Sequence, residues 1–389
     1  MDIKDRIIQR VDSLSGEIVA VSRYIHRNPE EGYKEFKASK YLHEKLESQG
    51  FTVEHPMKSI PTALRAAPAG RRGKPAVGFM AEYDCLPGIG HGCGHNLIAA
   101  SAFGAAAAMA PFLEETGGSV WFFGTPAEEY DGGKIPMLAE GVFAPIDVAL
   151  EMHPECLWMV NTITLAMDAL EIQFRGRAAH AACAPHEGVN ALDAMITFFN
   201  AVNALRQQVK PDIRIHGIIT HGGTYPNIIP DFTAARFYVR SMKRCDLGIV
   251  TEKMKNCARG AAKATGCRLK IKSFERSMDD MFNNPVVMGL LEENLGRLGV
   301  TDIAREDLEP GSTDFGNVSH VVPSVYMYAA TAPPGKPLHT KEFARLSATE
   351  PAHESLILSV KAMALTACDL LTDGALLKRV QEAFVGRAQ

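Results

Sequence analysis

The chain has 389 residues, more than the roughly 250–300 at which single hydrophobic cores usually divide, so we expect two domains. Its composition, with 46% hydrophobic and 22% charged residues, is ordinary for a globular protein, and its net charge is −4. No basic tract occurs in the sequence. Nucleic acid and anionic membranes are therefore not expected as partners.

The N-terminus and the cysteines bear on the cellular compartment. The first residues, MDIKDRIIQR, carry charges where a signal peptide needs an apolar core. No run of about 18 apolar residues predicts a membrane span. The eight cysteines are scattered without a CxxC pair, which is not the pattern of a disulfide framework. We therefore expect a cytoplasmic protein.

The N-terminal part of the chain predicts helices and then an alternation of strands and helices. Apolar residues from Ile3 to Val21 share one helical stripe, and a second helix over 34–49 ends at Gly50, a favourable residue after a helix. Apolar strands then alternate with helices such as the alanine-rich segment 96–113. The predicted strands cover 76–81, 119–123 and 147–152. This repeat predicts a mostly parallel sheet between helices, which is an α/β fold.

From about residue 166 the pattern changes to half-exposed strands and amphipathic helices. The order is strand, helix, strand, strand, helix, strand, over 170–174, 189–208, 213–219, 232–240, 246–265 and 268–272. This order is typical of a ferredoxin-like α+β module. We expect the module to be an inserted domain over 166–278, with the catalytic domain formed by 1–165 and 279–389.

Side chains that bind transition metals follow the predicted strands of the first domain. The candidates are Cys93, His95, Glu128, Glu129 and His153, with His339 near the C-terminus. Thiolates, imidazoles and carboxylates are the ligands of zinc-like metals, and the carboxyl ends of parallel strands meet at one edge of a sheet. The pattern predicts a metal site at that edge. Where two carboxylates are adjacent, one can bind metal while the other moves a proton.

A set of motifs resembles the aminoacylase/carboxypeptidase family of di-metal peptidases. The motifs are CGHN, GTPAEE, GRAAHAACAPHEGVNALDA, NIIPD and STDFGNVSHVVPS, and the resemblance covers nearly the whole chain. The most similar branch is the amidohydrolase branch, with auxin-conjugate hydrolases, hippuricases and p-aminobenzoyl-glutamate hydrolases. Asn96 stands where many relatives have Asp after the CGH motif. This favours the aminobenzoyl-glutamate and dipeptidase side over an auxin conjugate.

The resemblance implies the cofactors and the main catalytic residue. The implied metal ligands are Cys93, His95, Glu129, His153 and His339. They would hold two divalent ions, with zinc expected first and manganese or cobalt as alternatives. Glu128 would be the general base towards water activated by the metals. The inserted domain would close as a lid over the site and form a homodimer.

The resemblance also implies residues outside the metal site. His180 would donate a hydrogen bond to the oxyanion, across a dimer or a closing lid. Asn227 and Arg240 are candidate contacts for the free carboxylate of a small-molecule substrate, since Arg suits carboxylate binding. Asp84 is expected to orient a histidine. The sequence leaves the role of His91 open between loop packing and support of the ligands, and assigns no chemistry to Asp314.

We therefore expect a metal-dependent amidohydrolase that cleaves the amide of an N-acyl or N-aroyl amino acid. A dipeptidase or carboxypeptidase acting on small peptides is the first alternative. A cysteine hydrolase with Cys93 as nucleophile is a second, but it leaves Glu128, Glu129 and His339 without a role. A non-catalytic metal-binding protein is a third, although such a protein is expected to have lost Glu128 or a ligand.

Overall fold

The computed structural model describes residues 2–305 and 310–386, which form two compact units. Unit 1 takes the described residues within Met1–Ile163, Met281–Pro310 and Asp314–Gln389. Unit 2 takes Thr164–Asp280 and the short segment Gly311–Thr313. In sequence, unit 2 is thus inserted into unit 1.

Helices and strands are numbered in chain order. The helices are α1 (Ile3–Arg27), α2 (Phe36–Ser48), α3 (His95–Met109), α4 (Leu113–Thr116), α5 (Glu128–Asp131), α6 (Lys134–Ala139), α7 (Ala191–Leu205), α8 (Arg244–Thr265), α9 (Pro285–Arg297), α10 (Phe315–Ser319), α11 (Lys341–Leu346), α12 (Glu350–Thr372) and α13 (Gly374–Gly386). The strands are β1 (Phe51–Glu54), β2 (Leu64–Pro68), β3 (Ala76–Ala81), β4 (Ser119–Gly124), β5 (Val148–Glu155), β6 (Trp158–Met159), β7 (Ala166–Arg175), β8 (Arg214–His221), β9 (Phe232–Ser241), β10 (Arg268–Ser273), β11 (Ile303–Ala304) and β12 (Ser324–Ala330).

Unit 1 is built on an eight-stranded sheet in the order β1-β2-β4-β3-β5-β12-β6-β11. The central strands β4, β3, β5 and β12 are parallel. Successive side chains of a strand point to opposite faces. Accordingly, Phe79 packs in a cluster with residues of α1, α3 and α12, whereas Met80 packs in another with residues of α6 and α10. The predicted α/β fold with helices on both faces of a mostly parallel sheet is confirmed.

The edges of this sheet differ from the parallel centre. β1 and β2 pair in antiparallel fashion, and β2 also runs antiparallel to β4. At the other edge, β6 makes one antiparallel pairing with β12. The strands β1, β2, β6 and β11 have two to five residues each. Such short segments carry too little periodicity to be recognised in the sequence.

Unit 2 contains a four-stranded sheet in the order β10-β7-β9-β8. All of its pairings are antiparallel. Helices α7 and α8 share one hydrophobic cluster with the inward-facing residues of these strands, among them Ile172 and Phe237. Chain order and strand order together give the ferredoxin-like β-α-β-β-α-β arrangement expected from the sequence.

Two helical stretches correct the expectation that no apolar segment reaches membrane-spanning length. His95–Thr116 and Glu350–Thr372 are long and apolar enough to cross a membrane by length and composition. Within the protein, 83% and 67% of their apolar windows are buried. Both contribute residues to the hydrophobic cluster of unit 1, and their apolar composition follows from that packing.

Candidate metal centre

Polar side chains lie where three neighbouring parallel strands of unit 1 end. Glu82 and Asp84 follow β3, Glu128 and Glu129 follow β4, and His153 lies near the end of β5. β3 pairs with both β4 and β5. Because the carboxyl ends of these strands meet at one edge of the sheet, their side chains converge there.

Cys93 and His95 enter this edge through a tight turn. Gly94 between them has φ 78°, and a Cβ atom there would lie 2.8 Å from Cγ of Pro154. Only glycine combines this conformation with so close an approach. The turn places Cys93 Sγ 3.2 Å from His153 Nε2, and α3 begins at His95. The spacing of the Cys-Gly-His motif is therefore a geometric requirement.

Asp84 orients His95, as expected from the sequence. Its Oδ1 lies 3.0 Å from His95 Nδ1, and its Oδ2 accepts a hydrogen bond of 3.1 Å from the backbone amide of Glu129. With Nδ1 as the donor, His95 Nε2 carries a lone pair. That nitrogen lies 3.2 Å from Glu82 Oε2 and 3.9 Å from Glu129 Oε1. Asp84 thus fixes the ring of His95 with Nε2 directed towards the other donor atoms.

The converging side chains form overlapping sets of metal donors. In each set the donor atoms all lie within 4.8 Å of one another. The sets are Cys93, His95 and His153; Cys93, Glu129 and His339; and Glu82, His95 and Glu128. Cys93 belongs to the first two sets. The structure therefore brings together all the ligands expected from the sequence, with Glu128 beside them and Glu82 in addition.

The unpaired atoms of these residues fit a divalent cation. Among the described residues, Glu82 Oε2 and His95 Nε2 are buried and make no hydrogen bond of good geometry, although they lie 3.2 Å apart. A buried polar atom left without a partner costs about 1–3 kcal/mol, so such atoms normally have a ligand. Imidazole, thiolate and carboxylate are together the donors that zinc-like ions prefer.

His339 reaches the site in a strained backbone conformation. Its φ is 61°, a region that non-glycine residues rarely adopt, and its amide donates to the carbonyl oxygen of Gly92 at 2.9 Å. Its Nε2 lies 3.3 Å from Glu129 Oε1. The hydrogen bond with Glu129 raises the pKa of His339 despite partial burial. Strain of this kind is typical of functional sites.

Burial sets the protonation of the other groups. Burial, followed by the charges of Glu82 and Glu129, raises the pKa of Glu128 well above its usual range. Burial also raises the pKa of the Cys93 thiol, so a thiolate there needs a nearby cation. The pKa of His153 is lowered to about 4, chiefly by burial. His153 is thus neutral at pH 7, as a metal ligand must be.

A buried lysine cluster beside the site was missed from the sequence. Lys134 is fully buried, and its Nζ contacts Glu82, lies 2.7 Å from Asp314 Oδ1 and lies 3.8 Å from Glu151. Burial and the charge of Glu82 raise the pKa of Glu151 well above its usual range, so the ammonium is paired mainly with Glu82 and Asp314. The available signal was Glu151, a charged residue inside the apolar strand VALEM.

His91 packs in a loop and belongs to none of the donor sets among the described residues. Its Nε2 lies 3.1 Å from the carbonyl oxygen of Ile25. Burial lowers its pKa to about 3, so the ring is neutral. Of the two interpretations left open by the sequence, this contact favours loop packing.

The remaining candidates lie in unit 2. His180 is exposed, and its Nδ1 accepts from the amides of Ala182 and Cys183 at 3.3 Å. The carbonyl of Asn227 accepts from the amide of Ala181 at 3.0 Å, so His180 and Asn227 lie on adjoining segments.

Arg240 lies elsewhere in unit 2. It sits near the end of β9, whereas Asn227 precedes that strand. At ~3.3 Å per residue, the length of β9 separates the two by roughly 25 Å, so they do not form one clamp within a chain. The guanidinium of Arg240 lies 5.7 Å from the ring centroid of Tyr238. The two residues are therefore separate candidate contacts.

Comparisons with known proteins identify the family of the chain. The profile of peptidase family M20/M25/M40 matches residues 78–361. The chain is 36% identical to Xaa-Arg dipeptidase of Mus musculus, over 100% of this chain and 93% of that protein. It is 30% identical to a subunit of the p-aminobenzoyl-glutamate hydrolase of Escherichia coli (strain K12), over 93% of this chain and 90% of that protein.

A solved structure shares the fold. It is a dinuclear metal binding peptidase of the M20 family from Bacillus subtilis, with a TM-score of 0.71 and 22% identity, covering 93% of this chain and 100% of the other. The family profile covers most of the chain, and the relatives match it nearly from end to end. The chain therefore belongs to peptidase family M20/M25/M40 and is a hydrolase that acts on amide bonds.

Proposed function

We propose that this enzyme is a metal-dependent hydrolase of the amide bond between an acyl group and an amino acid that bears a free carboxylate. The observation that carries the proposal is the pair of donor sets that share Cys93, next to the buried carboxyl of Glu128. The relatives support the bond type, since one is named a dipeptidase and another an aminobenzoyl-glutamate hydrolase.

The donor sets define what the chain itself would hold. Cys93, His95 and His153 would bind one divalent ion, and Cys93, Glu129 and His339 a second. Zinc is the first candidate, with manganese or cobalt as alternatives. Two such ions would activate water and polarise the amide carbonyl.

Glu128 is suited to transfer a proton between the water and the leaving nitrogen. It is buried beside the donor sets, and its neighbour Glu129 belongs to one of them. Burial and nearby carboxylates raise the pKa of Glu128. A raised pKa favours a carboxylate that takes a proton and then releases it to the product amine.

Residues of unit 2 would complete substrate binding. From the resemblance, His180 would donate a hydrogen bond to the oxyanion. Asn227 and Arg240 are two separate candidates for the contact with the carboxylate of the substrate. Arg240 Nε is buried and has no hydrogen-bond partner in the part of the chain that the structure describes, which leaves this N–H for a ligand. His180 is exposed and its Nδ1 is held by backbone amides, so Nε2 is the ring atom directed to a ligand.

Two acyl classes stand out. An aminoacyl group, as in a dipeptide, is favoured by the relative at 36% identity over the full chain. An aroyl group, as in aminobenzoyl-glutamate, is favoured by the relative at 30% identity. The first is the better supported, since both identity and coverage are higher.

The edge strands of unit 2 support its proposed role as a dimerisation domain. β10 carries Arg268, Lys270 and Lys272, and such charges discourage pairing with another sheet. The other edge strand, β8, exposes Ile218 by 66% and Ile219 by 43%. An apolar edge strand is a site for strand pairing, and a second copy of β8 fits it by symmetry. A homodimer through β8 is the arrangement we propose.

The compartment that we propose is the cytoplasm. Each of the eight cysteines is a free thiol, including the exposed Cys183 and Cys245. Exposed free thiols are compatible with a reducing environment.

A substrate panel tests the function. Metal-loaded and chelator-stripped enzyme would be incubated with dipeptides, aroyl-glutamates and N-acyl amino acids, and released amino acid measured by mass spectrometry. We expect release that depends on metal, with dipeptides as the best class. Equal release after metal stripping would contradict the proposed mechanism. Absence of release from every class by protein with bound metal would contradict the substrate class.

A further inference from the structure

Glu35 is a fully buried carboxylate that has no part in the metal site described above. Oε1 accepts hydrogen bonds from the amides of Tyr33 (3.0 Å) and Ala127 (2.8 Å), and Oε2 accepts one from the Thr62 hydroxyl (2.8 Å). No cation forms an ion pair with it among the residues that the structure describes. Burial, with the charge of Asp84 next, raises its pKa to about 7. An acid in such a place needs a specific reason to be there.

The two amides that share Oε1 belong to strained residues. Tyr33 has φ 63° and Ala127 has φ 61°, and His339 of the metal site is the remaining non-glycine residue with positive φ in the described chain. Non-glycine residues hold this conformation only where their surroundings impose it. One carboxylate oxygen therefore fixes two strained residues at once. Ala127 directly precedes Glu128, so its φ and ψ angles set the direction of that side chain.

The loop that carries Glu35 also packs tightly on the turn that carries Glu128. A Cβ atom on Gly32 would lie 2.6 Å from Cβ of Tyr130 and 3.1 Å from Cβ of Ala127. The rings of Tyr33 and Tyr130 meet edge to face, with centroids 6.0 Å apart. The loop before α2 and the turn at 126–131 thus form one packed unit, with Glu35 at its centre.

Helix capping does not explain Glu35. It is the residue before α2, the usual place for a capping side chain, but its carboxylate makes no capping hydrogen bond. That task is performed by Glu30, whose carboxylate accepts from the amides of Lys37 and Ala38 at 2.9–3.1 Å. The chain therefore contains two acids in one loop, one serving the helix and the other serving the turn at Ala127.

We propose that Glu35 is a positioning residue, which directs Glu128 into the active site by holding Ala127 in its left-handed conformation. It belongs to none of the donor sets found among the described residues and acts through the backbone of the turn. This inference rests on the proposed role of Glu128 as the group that moves the proton.

The variants Glu35→Ala and Glu35→Gln, with Glu30→Ala as matched control, test the proposal. Glu35→Ala is expected to keep its metal content and to lose kcat by about 100-fold, the order of loss that follows a 1 Å misplacement, with KM little changed. Glu35→Gln keeps an acceptor oxygen for Ala127 and is expected to restore most of kcat. Glu30→Ala is expected to lower the melting temperature and leave kcat unchanged.

A second-site change provides an independent check. Glycine adopts positive φ without strain, so Ala127→Gly is expected to restore part of kcat in the Glu35→Ala background. If Glu35 had a purely structural role, Ala127→Gly would not restore kcat. In that case kcat would also fall in proportion to the loss of stability in both the Glu35 and the Glu30 variants. Each of these two outcomes would overturn the proposal.

A crystal structure of Glu35→Ala tests the same point without activity. The turn at 126–131 is expected to move, with Ala127 leaving positive φ, while α2 stays in place. An unmoved turn would overturn the proposal. If the wild-type enzyme instead fails on the whole substrate panel, the proposed function fails, and this structural result still decides the role of Glu35.

Discussion

At the scale of single residues, Glu128 separates catalysis from metal binding. The donor sets of Cys93 do not include it, and its neighbour Glu129 is in one of them. Glu128→Gln is therefore expected to keep fold and metal content and to lose kcat by roughly 10²–10⁴. Steady-state kinetics and elemental analysis measure the two quantities. The control is Glu140→Gln, an exposed acid that follows α6, which is expected to behave as wild type. Near-normal turnover of Glu128→Gln would contradict the proposed proton transfer.

Two buried thiols allow a matched test of the metal site. Cys93 belongs to two donor sets, whereas Cys85, buried to the same degree, belongs to none found among the described residues. Mutation of a residue that only hydrogen-bonds to a metal ligand typically weakens metal binding by ~10–100-fold, and Cys93→Ala is expected to weaken it by more. Cys85→Ala is expected to leave the metal affinity unchanged. Chelator competition measures the affinity. Full metal content together with lost activity in Cys93→Ala would favour the cysteine hydrolase alternative.

What could be predicted at this scale depended on position along the strands. Ligand-type residues after parallel strands must converge, so Cys93, His95 and His153 could be grouped before their distances were known. Lys134 and Glu35 could not, because their roles arise from contacts with residues distant in sequence. A pattern of periodicity contains no information about such contacts.

At the scale of elements, two helical glycines are expected to respond in opposite ways. A methyl group added at Gly16 in α1 would have no atom within 4 Å, whereas a Cβ on Gly104 in α3 would lie 2.8 Å from Cδ1 of Ile18. Gly16→Ala is expected to raise the free energy of unfolding by about 0.5–1 kcal/mol. Gly104→Ala is expected to lower it, because α1 and α3 would be pushed apart. Urea titration measures both, and a gain from Gly104→Ala would contradict this close packing.

Asp168 joins β7 to α8 and to the segment around Ser277 in unit 2. Its carboxylate accepts from Arg244 (2.8 Å), Ser277 (2.7 Å) and Thr251 (2.6 Å). Asp168→Asn is expected to lower the free energy of unfolding by about 2 kcal/mol. This is less than the loss expected on breaking a fully buried ion pair, because Arg244 is partly exposed. Glu252→Gln, which removes an exposed ion pair with Arg259 on α8, is the control and is expected to cost little. Equal losses of unfolding free energy from both variants would contradict this difference in burial.

The same carboxylate gives a pH dependence with a defined sign. Burial raises the pKa of Asp168, but the hydrogen bonds from Thr251, Ser277 and Arg244 outweigh it, so the pKa lies below the ordinary 3.8. A carboxyl whose pKa is lower in the folded than in the unfolded chain stabilises the fold at any pH above its unfolded-state pKa. This contribution to the free energy of unfolding is lost as the pH falls through the folded-state pKa. Wild-type stability is therefore expected to converge on that of Asp168→Asn below about pH 4. A constant difference between the two down to pH 2–3 would contradict the assignment.

Element prediction succeeded where segments were long and regular. The sequence predicts the strands at 76–81 and 119–123, and it predicts the order of strands and helices in unit 2. Each of these segments is long enough for its hydrophobic pattern to be recognised. The short strands β6 and β11 were missed, since two residues have no period. These two strands form because of contacts with other parts of the same chain, and their own short sequences do not specify those contacts.

At the scale of the whole molecule, the proposed dimer depends on the apolar edge strand β8. Ile218→Asp places a charge at its centre and is expected to give a monomer, because a buried unpaired charge opposes association. Ile249→Asp changes an isoleucine on α8 that is 58% exposed, and is expected to stay dimeric. Light scattering at micromolar concentration measures the mass. A wild-type monomer, or a dimeric Ile218→Asp, would contradict the proposed interface.

The proposed dimer raises the question of which chain would supply His180 to a given site. The resemblance allows His180 to act across the dimer or within its own chain. Two inactive variants distinguish these cases: Glu128→Gln, with His180 intact, and His180→Ala, with Glu128 intact. Each homodimer lacks one of the two groups at every site, so neither is expected to turn over substrate at a useful rate.

A heterodimer of the two variants, co-expressed with different tags and purified through both, gives different outcomes for the two cases. If His180 acts across the dimer, one site combines an intact Glu128 with an intact His180, and about half of the wild-type dimer activity is expected. If His180 acts within its chain, both sites remain defective and activity stays near that of the homodimers. We expect the first result, since the exposed His180 and the apolar edge strand both belong to unit 2. Activity at homodimer level would instead assign His180 to its own chain and leave β8 with a purely structural role.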